Sequence, residues 1–301
     1  WLGLFLTTPA ESWPLGLPVA IGAGFDLGWR VMYLVGALLA VVGILLRVQL
    51  PESPRWLLGV GRVDEADAVV SSMEQRARRR GPLPEPDRTM AEPAPPTSRL
   101  PYAELLTSRR YLGRIALLFA VWFIGYITVY SYSAGFTVIL ASLHYPPPEA
   151  GVIVATGILG FIASAIVAYF FAERLERKRW LPIAAALTVV GGVTVALGGS
   201  NLTVAFVGSS IIFLGFNLWV PPTYSWSTES FPTRARTTGF GLVDGVGHIG
   251  GGIGLLVITP FLPHMSVLGA LLLLGGFLCV AAIIAQFGIH TRGRRLEEIS
   301  P

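Results

Sequence analysis

The chain has 301 residues, of which 53% are hydrophobic and 13% are charged, about half the charged fraction of soluble domains. This composition excludes a soluble globule and a disordered chain, and the single cysteine, Cys279, excludes a disulfide framework and a zinc site built from cysteines. The mean hydropathy of +0.63 leaves a protein embedded in a lipid bilayer. Trp1 opens the chain inside an apolar run with no basic residue before it, which predicts a fragment whose N-terminal part is missing.

Eight apolar runs are long enough to cross the hydrocarbon core of a membrane, which takes about 20 residues of helix. They predict an all-α integral membrane protein. The predicted spans are residues 2–24, 31–50, 111–142, 151–172, 181–198, 202–225, 238–261 and 265–287.

The basic residues between these runs segregate to one side. Arg30 is the only one in the loops that follow odd-numbered runs, and the other 21 of the 22 lie on the opposite side. Because Lys and Arg are retained on the cytoplasmic side, we expect the even-numbered loops and the C-terminus to be cytoplasmic in a plasma or inner membrane. This orientation accounts for the net charge of +4 without a nucleic-acid partner.

One loop, residues 51–110, is much longer than the others. Its residues 61–79 read as a short amphipathic helix, with acidic residues first and arginines last, which suits the helix dipole. Residues 81–101 are rich in proline and contain no aromatic residue, which is typical of a flexible linker.

Three strings on the predicted cytoplasmic side resemble signatures of the major facilitator superfamily. Residues 51–58 read Pro-Glu-Ser-Pro-Arg-Trp-Leu-Leu and resemble the end of the sixth span in sugar porters. Residues 228–236 read Thr-Glu-Ser-Phe-Pro-Thr-Arg-Ala-Arg and resemble the Glu-aromatic-Pro-Thr-x-x-Arg segment after the tenth span. Residues 173–178 read Glu-Arg-Leu-Glu-Arg-Lys and resemble the Asp-Arg-x-Gly-Arg-Arg loop between spans eight and nine, with Glu176 where glycine is usual.

The resemblance implies a major facilitator-type helical bundle truncated to about eight of twelve transmembrane helices. It assigns residues 1–50 to the last two spans of the N-terminal six-helix half and residues 51–110 to the cytoplasmic loop between the halves. Residues 111–289 would form the C-terminal six-helix half, and residues 290–301 a cytoplasmic tail. The implied activity is that of a monomeric secondary active transporter, which moves a small organic metabolite by alternating access together with protons.

The three strings point to the superfamily but do not identify a branch within it. The sugar-binding Gln-Gln-x-Ser-Gly string is absent, and residues 239–254 resemble bacterial metabolite:proton symporters of the nicotinate and aromatic-acid kind, as well as organic cation and anion transporters. The alternatives are a proton-independent facilitator of sugars or related solutes, and a transport-dead membrane sensor with the same fold. Phosphate-loop, His-Glu-x-x-His and nucleophile-elbow motifs are absent, so the sequence predicts neither an enzyme nor a cofactor or metal site.

The charged residues of the three strings form a predicted cytoplasmic gating network. Carboxylates and guanidiniums at helix ends can form bidentate pairs, and pairs that form in only one conformation bias a two-state motion. The alternative is that they fix topology alone. The predicted network comprises Glu52, Arg55, Glu173, Arg174, Glu229 and Arg234.

Ionisable residues within a span are costly and mark a pathway or a coupling site. Asp244 and His248 are one turn apart in the eleventh family span, so that they can interact as a proton relay. Glu11 lies between two prolines of the first run. We predict proton coupling or substrate binding at these three residues. The alternatives are a buried structural pair for the first two and a position near the cytoplasmic interface for Glu11.

Aromatic and hydroxyl side chains at helical spacing in the seventh and tenth family spans predict a substrate cavity. They suit a small ring-bearing or polyhydroxyl solute through stacking and hydrogen bonding. Packing or an interfacial aromatic belt is the alternative for each of them. The predicted cavity residues are Tyr126, Tyr130, Ser133, Asn217, Trp219 and Tyr224.

Overall fold

The computed structural model describes residues 1–7, 25–83 and 101–300. These residues form helices and turns without a strand, which confirms the all-α fold class. They divide into two compact units, one made of the described residues of 1–32 and 101–300, the other of those of 33–100.

Seven segments of the described chain are helical, long and apolar enough to cross a membrane. They correspond to the second through eighth predicted runs, because an apolar run in lipid can satisfy its backbone groups only within a helix. Of the first predicted run, only the helix α1, Leu2–Thr7, belongs to the described residues. The seven segments are Leu27–Val48, Arg109–Ser142, Pro148–Phe171, Arg177–Gly198, Leu202–Glu229, Thr233–His264 and Val267–Gln286.

The smaller unit takes in most of α2 (Phe25–Val48), together with α3 (Pro54–Gly59) and α4 (Val63–Arg78). Helix α4 occupies most of the stretch predicted to be amphipathic. Arg62, which precedes α4, donates two hydrogen bonds to Glu65, and these lower the pKa of the Glu65 carboxyl. Most of the predicted proline-rich linker lies outside the described residues.

The larger unit is a bundle of membrane-length helices around a core of buried aromatic and aliphatic side chains. Its elements, after α1 and the start of α2, are α5 (Pro101–Thr107), α6 (Arg109–Ser142), α7 (Pro147–Gly157), α8 (Leu159–Phe171), α9 (Trp180–Gly198), α10 (Leu202–Leu218), α11 (Val220–Glu229), α12 (Arg236–Phe240), α13 (Val246–Ile253), α14 (Val267–Gln286) and α15 (Leu296–Ile299).

Several of the spans are not continuous α-helices, and Pro148–Phe171 is interrupted at Ile158, between α7 and α8. The span Leu202–Glu229 breaks at Trp219 between α10 and α11, where Pro221 and Pro222 follow and remove two backbone donors. The span Thr233–His264 contains two π-helical turns, Gly241–Gly245 and Gly254–Ile258, on either side of α13. Such turns are frequent at functional sites.

Glycines allow α13 to approach α6 closely. A Cβ atom on Gly250 would lie 1.9 Å from the Phe123 carbonyl oxygen, and one on Gly247 would lie 2.7 Å from the Trp122 Cβ. No atom lies within 4 Å of the corresponding positions at Gly241 and Gly245. Gly247 and Gly250 of α13 therefore make the helix contact, while the two glycines of the preceding π-helical turn leave open space.

Candidate functional site

An aromatic cluster lies where α6 faces the break between α10 and α11. Trp122 of α6 stacks on Tyr126, one turn along, with ring centroids 5.1 Å apart. The Trp122 ring also lies 5.0 Å from the ring of Trp219 and 4.9 Å from that of Tyr224. Tyr126 is at the midpoint of the membrane-length helix Arg109–Ser142, and Tyr224 lies five residues before the end of the span Leu202–Glu229.

Asp244 joins this cluster through a hydrogen bond. The Tyr126 hydroxyl donates to its Oδ1 at 2.5 Å, and the Tyr224 hydroxyl lies 3.4 Å from the Tyr126 hydroxyl. The His248 ring is tilted by 41° against the Tyr126 ring, with ring centroids 4.1 Å apart, and lies 6.0 Å from the ring of Tyr130. The structure thus brings together six of the residues predicted for the cavity and for coupling: Tyr126, Tyr130, Trp219, Tyr224, Asp244 and His248.

Asp244 and His248 interact, but not by a contact between their side chains. The Nδ1 atom of His248 lies 2.8 Å from the backbone carbonyl oxygen of Asp244. Because a carbonyl can only accept, Nδ1 carries the proton in this arrangement. The carboxylate is instead bonded to Tyr126, a partner on another helix that helical spacing does not indicate.

Trp219 belongs to the cluster through tight steric fit. Its ring is buried, and its edge lies 2.6 Å from where a Cβ on Gly125 would be. The absence of a side chain at Gly125 therefore creates the space that Trp219 fills. The Trp219 indole nitrogen is buried without a hydrogen-bond partner in the described part of the chain.

Two predicted cavity residues have partners outside the cluster. Asn217 donates from its amide to the Ser164 hydroxyl of α8 at 2.6 Å, so it links two helices. Ser133 is exposed and bonds the Val129 carbonyl of its own helix. Glu11, the third residue predicted for coupling, lies outside the described residues.

Trp122 is a cluster residue that the sequence prediction left out. It is fully buried, and its indole nitrogen donates to the Ser227 hydroxyl at 2.9 Å. Its position four residues before Tyr126 places both on one helix face, and this spacing could have identified it.

A second polar region lies where helix ends of the larger unit meet, and we call it the basic end. Arg177 is one of its two buried cations, with a side chain 7% exposed. It pairs with Glu229 at 3.1 Å and with Glu173 at 2.8 Å. Glu173 and Glu229 were both predicted for the gating network, and Arg177 was not. The Arg174 guanidinium lies over the Phe171 ring, 4.7 Å from its centroid.

The other predicted gating residues have different partners. Arg234 forms a bidentate pair with Glu104 of α5, a carboxylate that lies outside the three sequence strings. Glu52 pairs with Arg47, in the smaller unit, at 3.2 Å. Arg55 also belongs to the smaller unit.

The C-terminal residues are held against the basic end by four side chains. Glu176, where the family has glycine, accepts from the backbone N–H of Thr291 at 3.0 Å. Arg114 donates to the Ile299 carbonyl at 2.8 Å, and Lys178 donates to the Gly288 carbonyl at 2.7 Å. Trp226 donates to the Ile289 carbonyl at 3.1 Å. These contacts join helix ends that are far apart in sequence.

In the described chain, no group of three or more His, Cys, Asp or Glu side chains could hold a metal ion. The chemistry available in the cluster is therefore hydrogen bonding, ring stacking and protonation.

Together, the membrane-length helices, the interrupted spans and the polar cluster beside them define a multi-pass membrane protein. The family model described as "Sugar (and other) transporter" matches residues 14–301. The chain belongs to this family, a sugar porter-like branch of the major facilitator superfamily.

Known relatives are similar along nearly the whole chain. The YdjK protein of Escherichia coli (strain K12), named as a metabolite transport protein, is 28% identical over 96% of this chain and 64% of its own length. The niacin transporter NiaP of Acinetobacter baylyi is 27% identical over 99% of this chain and 68% of its own. The glucose transporter GlcP of Staphylococcus epidermidis is 29% identical over 90% and 62%.

The chain therefore spans about two thirds or less of the length of most of these relatives. Their names describe transporters and not enzymes.

Proposed function

We propose that this protein is a secondary active transporter that moves a small organic metabolite across the cell membrane by alternating access. The observation that carries the proposal is the polar aromatic cluster of Tyr126, Tyr224 and Asp244, which lies among membrane-length helices in a member of a transporter family. Substrate sites of such transporters lie near the bilayer midplane, where broken helices supply polar groups.

The two halves of a complete transporter would arise from the segments assigned above. Residues 1–50 would contribute the last spans of the first half, and residues 111–289 would form the second half. Residues 290–301 and the basic end would face the cytoplasm, since retained Lys and Arg mark that side. The pairs of Arg177 and Arg234 with their carboxylates would stabilise one conformation and break in the other.

The cluster favours a planar or hydroxyl-bearing solute. Trp122, Tyr126 and Tyr224 offer ring faces, and Tyr224 and His248 are exposed at the surface of the larger unit. Tyr130 is half-buried beside them. The relatives' printed names include a niacin transporter and a glucose transporter, so nicotinate and glucose are the first probes for this chain.

Proton coupling is part of the proposal and rests on Asp244, whose carboxylate accepts a hydrogen bond from Tyr126. An ionisable residue within a membrane span is costly unless it serves a pathway or a coupling site.

Uptake into proteoliposomes tests this function. The full-length gene product is reconstituted, and uptake of labelled nicotinate and of labelled glucose is measured with and without an imposed inward proton gradient. Uptake that the gradient accelerates is expected. Uptake indifferent to the gradient would indicate a facilitator, and no uptake across a wider metabolite panel would indicate a sensor.

A further inference from the structure

One hydrogen bond crosses between helices at the centre of the larger unit. The Tyr126 hydroxyl donates to Asp244 Oδ1 at 2.5 Å, and the Tyr126 side chain is only 4% exposed. No ion pair involves Asp244 within the described ranges of the chain. A hydroxyl that donates to a carboxylate over this distance forms a charge-assisted hydrogen bond, about twice as strong as a neutral one.

Several titratable or charged groups surround the Asp244 turn, and Tyr126 is the one that donates to its carboxylate. The groups on the neighbouring elements are Tyr126 and Tyr130 of α6, Tyr224 of α11, Arg236 of α12 and His248 of the same span. The Nε atom of Arg236 donates to the Thr228 carbonyl. His248 binds the Asp244 backbone and not its carboxylate.

Tyr126 has a second partner within reach. Its hydroxyl lies 3.4 Å from that of Tyr224, whose side chain is 38% exposed. While Asp244 is ionised, the charge-assisted bond to the carboxylate is favoured. Once Asp244 takes up a proton, the charge assistance is lost and Tyr126 can donate to Tyr224 instead.

The backbone at Asp244 has room to respond. Asp244 lies in the π-helical turn Gly241–Gly245, and the Cβ positions of both flanking glycines are open. π-helical turns are local departures from the α-helix that are frequent at functional sites. A change in the Asp244 hydrogen bond can therefore alter this turn without displacing packed side chains at the two glycines.

We infer that Asp244 carries the transported proton and that Tyr126 is its positioning residue, which exchanges its hydrogen bond between Asp244 and Tyr224 as the proton binds and leaves. The proton comes from water on one side of the membrane, joins a carboxylate oxygen, and leaves to the other side. His248 has no part in the proton step. The inference rests on the proposed transport function and names its coupling group.

Infrared difference spectroscopy of the full-length protein reports the protonation directly. Acid-minus-neutral spectra should show the C=O band of a protonated carboxyl that is absent in Asp244→Asn. The band should shift in Tyr126→Phe, which keeps the ring and removes the hydroxyl, and stay unchanged in His248→Gln. A band that Asp244→Asn leaves intact would overturn the inference, whether or not transport is seen.

Proton movement in vesicles loaded with a pH-sensitive dye gives the functional readout, with nicotinate and glucose as probes. Asp244→Asn should abolish substrate-induced proton entry. Tyr126→Phe should reduce proton entry about tenfold, the factor for a lost hydrogen bond to a charged group. Tyr132→Phe is the matched control, since its hydroxyl on the same helix bonds only the Leu271 carbonyl, and it should behave like the parent.

The outcomes separate the two proposals. Parent uptake that ignores the proton gradient would overturn the inference and leave the transport function in place. Loss of proton entry in His248→Gln, with parent behaviour in Tyr126→Phe, would also overturn it. Absence of any uptake by the parent would count against the proposed function and against the coupling role that depends on it.

Discussion

At the residue scale, Arg177 shows that the contribution of an ion pair to stability depends on how deeply its partners are buried. Its guanidinium is almost fully buried and has two carboxylate partners of different exposure, Glu229 at 20% and Glu173 at 79%. An exposed partner adds little, since water and salt screen the attraction, whereas loss of a buried partner leaves a poorly solvated charge. The two carboxylates should therefore differ in their effect on stability.

We expect Glu229→Gln to destabilise the protein by about 2 kcal/mol, the figure for a broken buried pair discounted for partial exposure. Glu173→Gln is the matched control, because it removes a carboxylate from the same guanidinium, and should cost about 0.5 kcal/mol or less. Thermal unfolding in detergent compares them. Equal losses of stability in the two variants would show that burial does not set the value of the pair.

At the scale of the element, the contact between α6 and α13 depends on the space that a glycine leaves. Gly250 faces the Phe123 carbonyl so closely that a Cβ would lie 1.9 Å from its oxygen. The Phe123 backbone cannot move aside as the end of a flexible side chain can. A Cβ atom at position 250 would therefore force α13 away from α6. Gly252, two residues further on, faces open space.

Gly250→Ala is therefore expected to lower stability by about 3 kcal/mol or more, at the upper end of the cost of overpacking. Gly252→Ala should be neutral or slightly stabilising, since alanine favours a helix over glycine by about 1 kcal/mol. The melting temperatures of the two variants in detergent provide the comparison. A stable Gly250→Ala protein would mean that the two helices are not held at this distance.

The C-terminal segment is the other element whose position depends on a few side chains. Arg114 of α6 donates to the Ile299 carbonyl, the Ser300 hydroxyl and the Ser230 carbonyl. Arg110, one turn earlier on the same helix, is exposed and makes no hydrogen bond or ion pair in the part of the chain that the structure describes.

Arg114→Gln should release the end of the chain, and Arg110→Gln should not. Hydrogen exchange of the backbone amides of residues 289–300 measures this. Loss of hydrogen bonds from a charged group should speed exchange there about tenfold or more in Arg114→Gln. Parent rates in both variants would show that the tail is held by its other contacts.

For the whole molecule, the spans could be predicted from sequence because the length of an apolar run is a local property. The partners of polar residues could not, since they depend on how helices pack. Asp244 and His248 were placed together by spacing, but the partner of the Asp244 carboxylate, Tyr126, lies 118 positions away in the chain. Likewise Arg177, three residues after Arg174, is the arginine that reaches Glu229.

The central claim is that solute binds at the cluster of Tyr126, Tyr224 and Asp244. Cysteine protection tests it most directly, in a full-length protein whose native cysteines, Cys279 among them, are replaced by serine. Tyr224→Cys places a thiol at the exposed edge of the cluster, and Tyr102→Cys, whose side chain is 58% exposed on α5, is the control. Both are treated with a charged thiol reagent in the presence and absence of nicotinate or glucose, whichever the parent transports.

At ten times its Kd, the solute leaves about one tenth of the sites free. Modification of Tyr224→Cys should therefore slow about tenfold, while that of Tyr102→Cys stays unchanged. Equal rates with and without a transported solute at Tyr224→Cys would contradict the assignment of the cluster as the transport site.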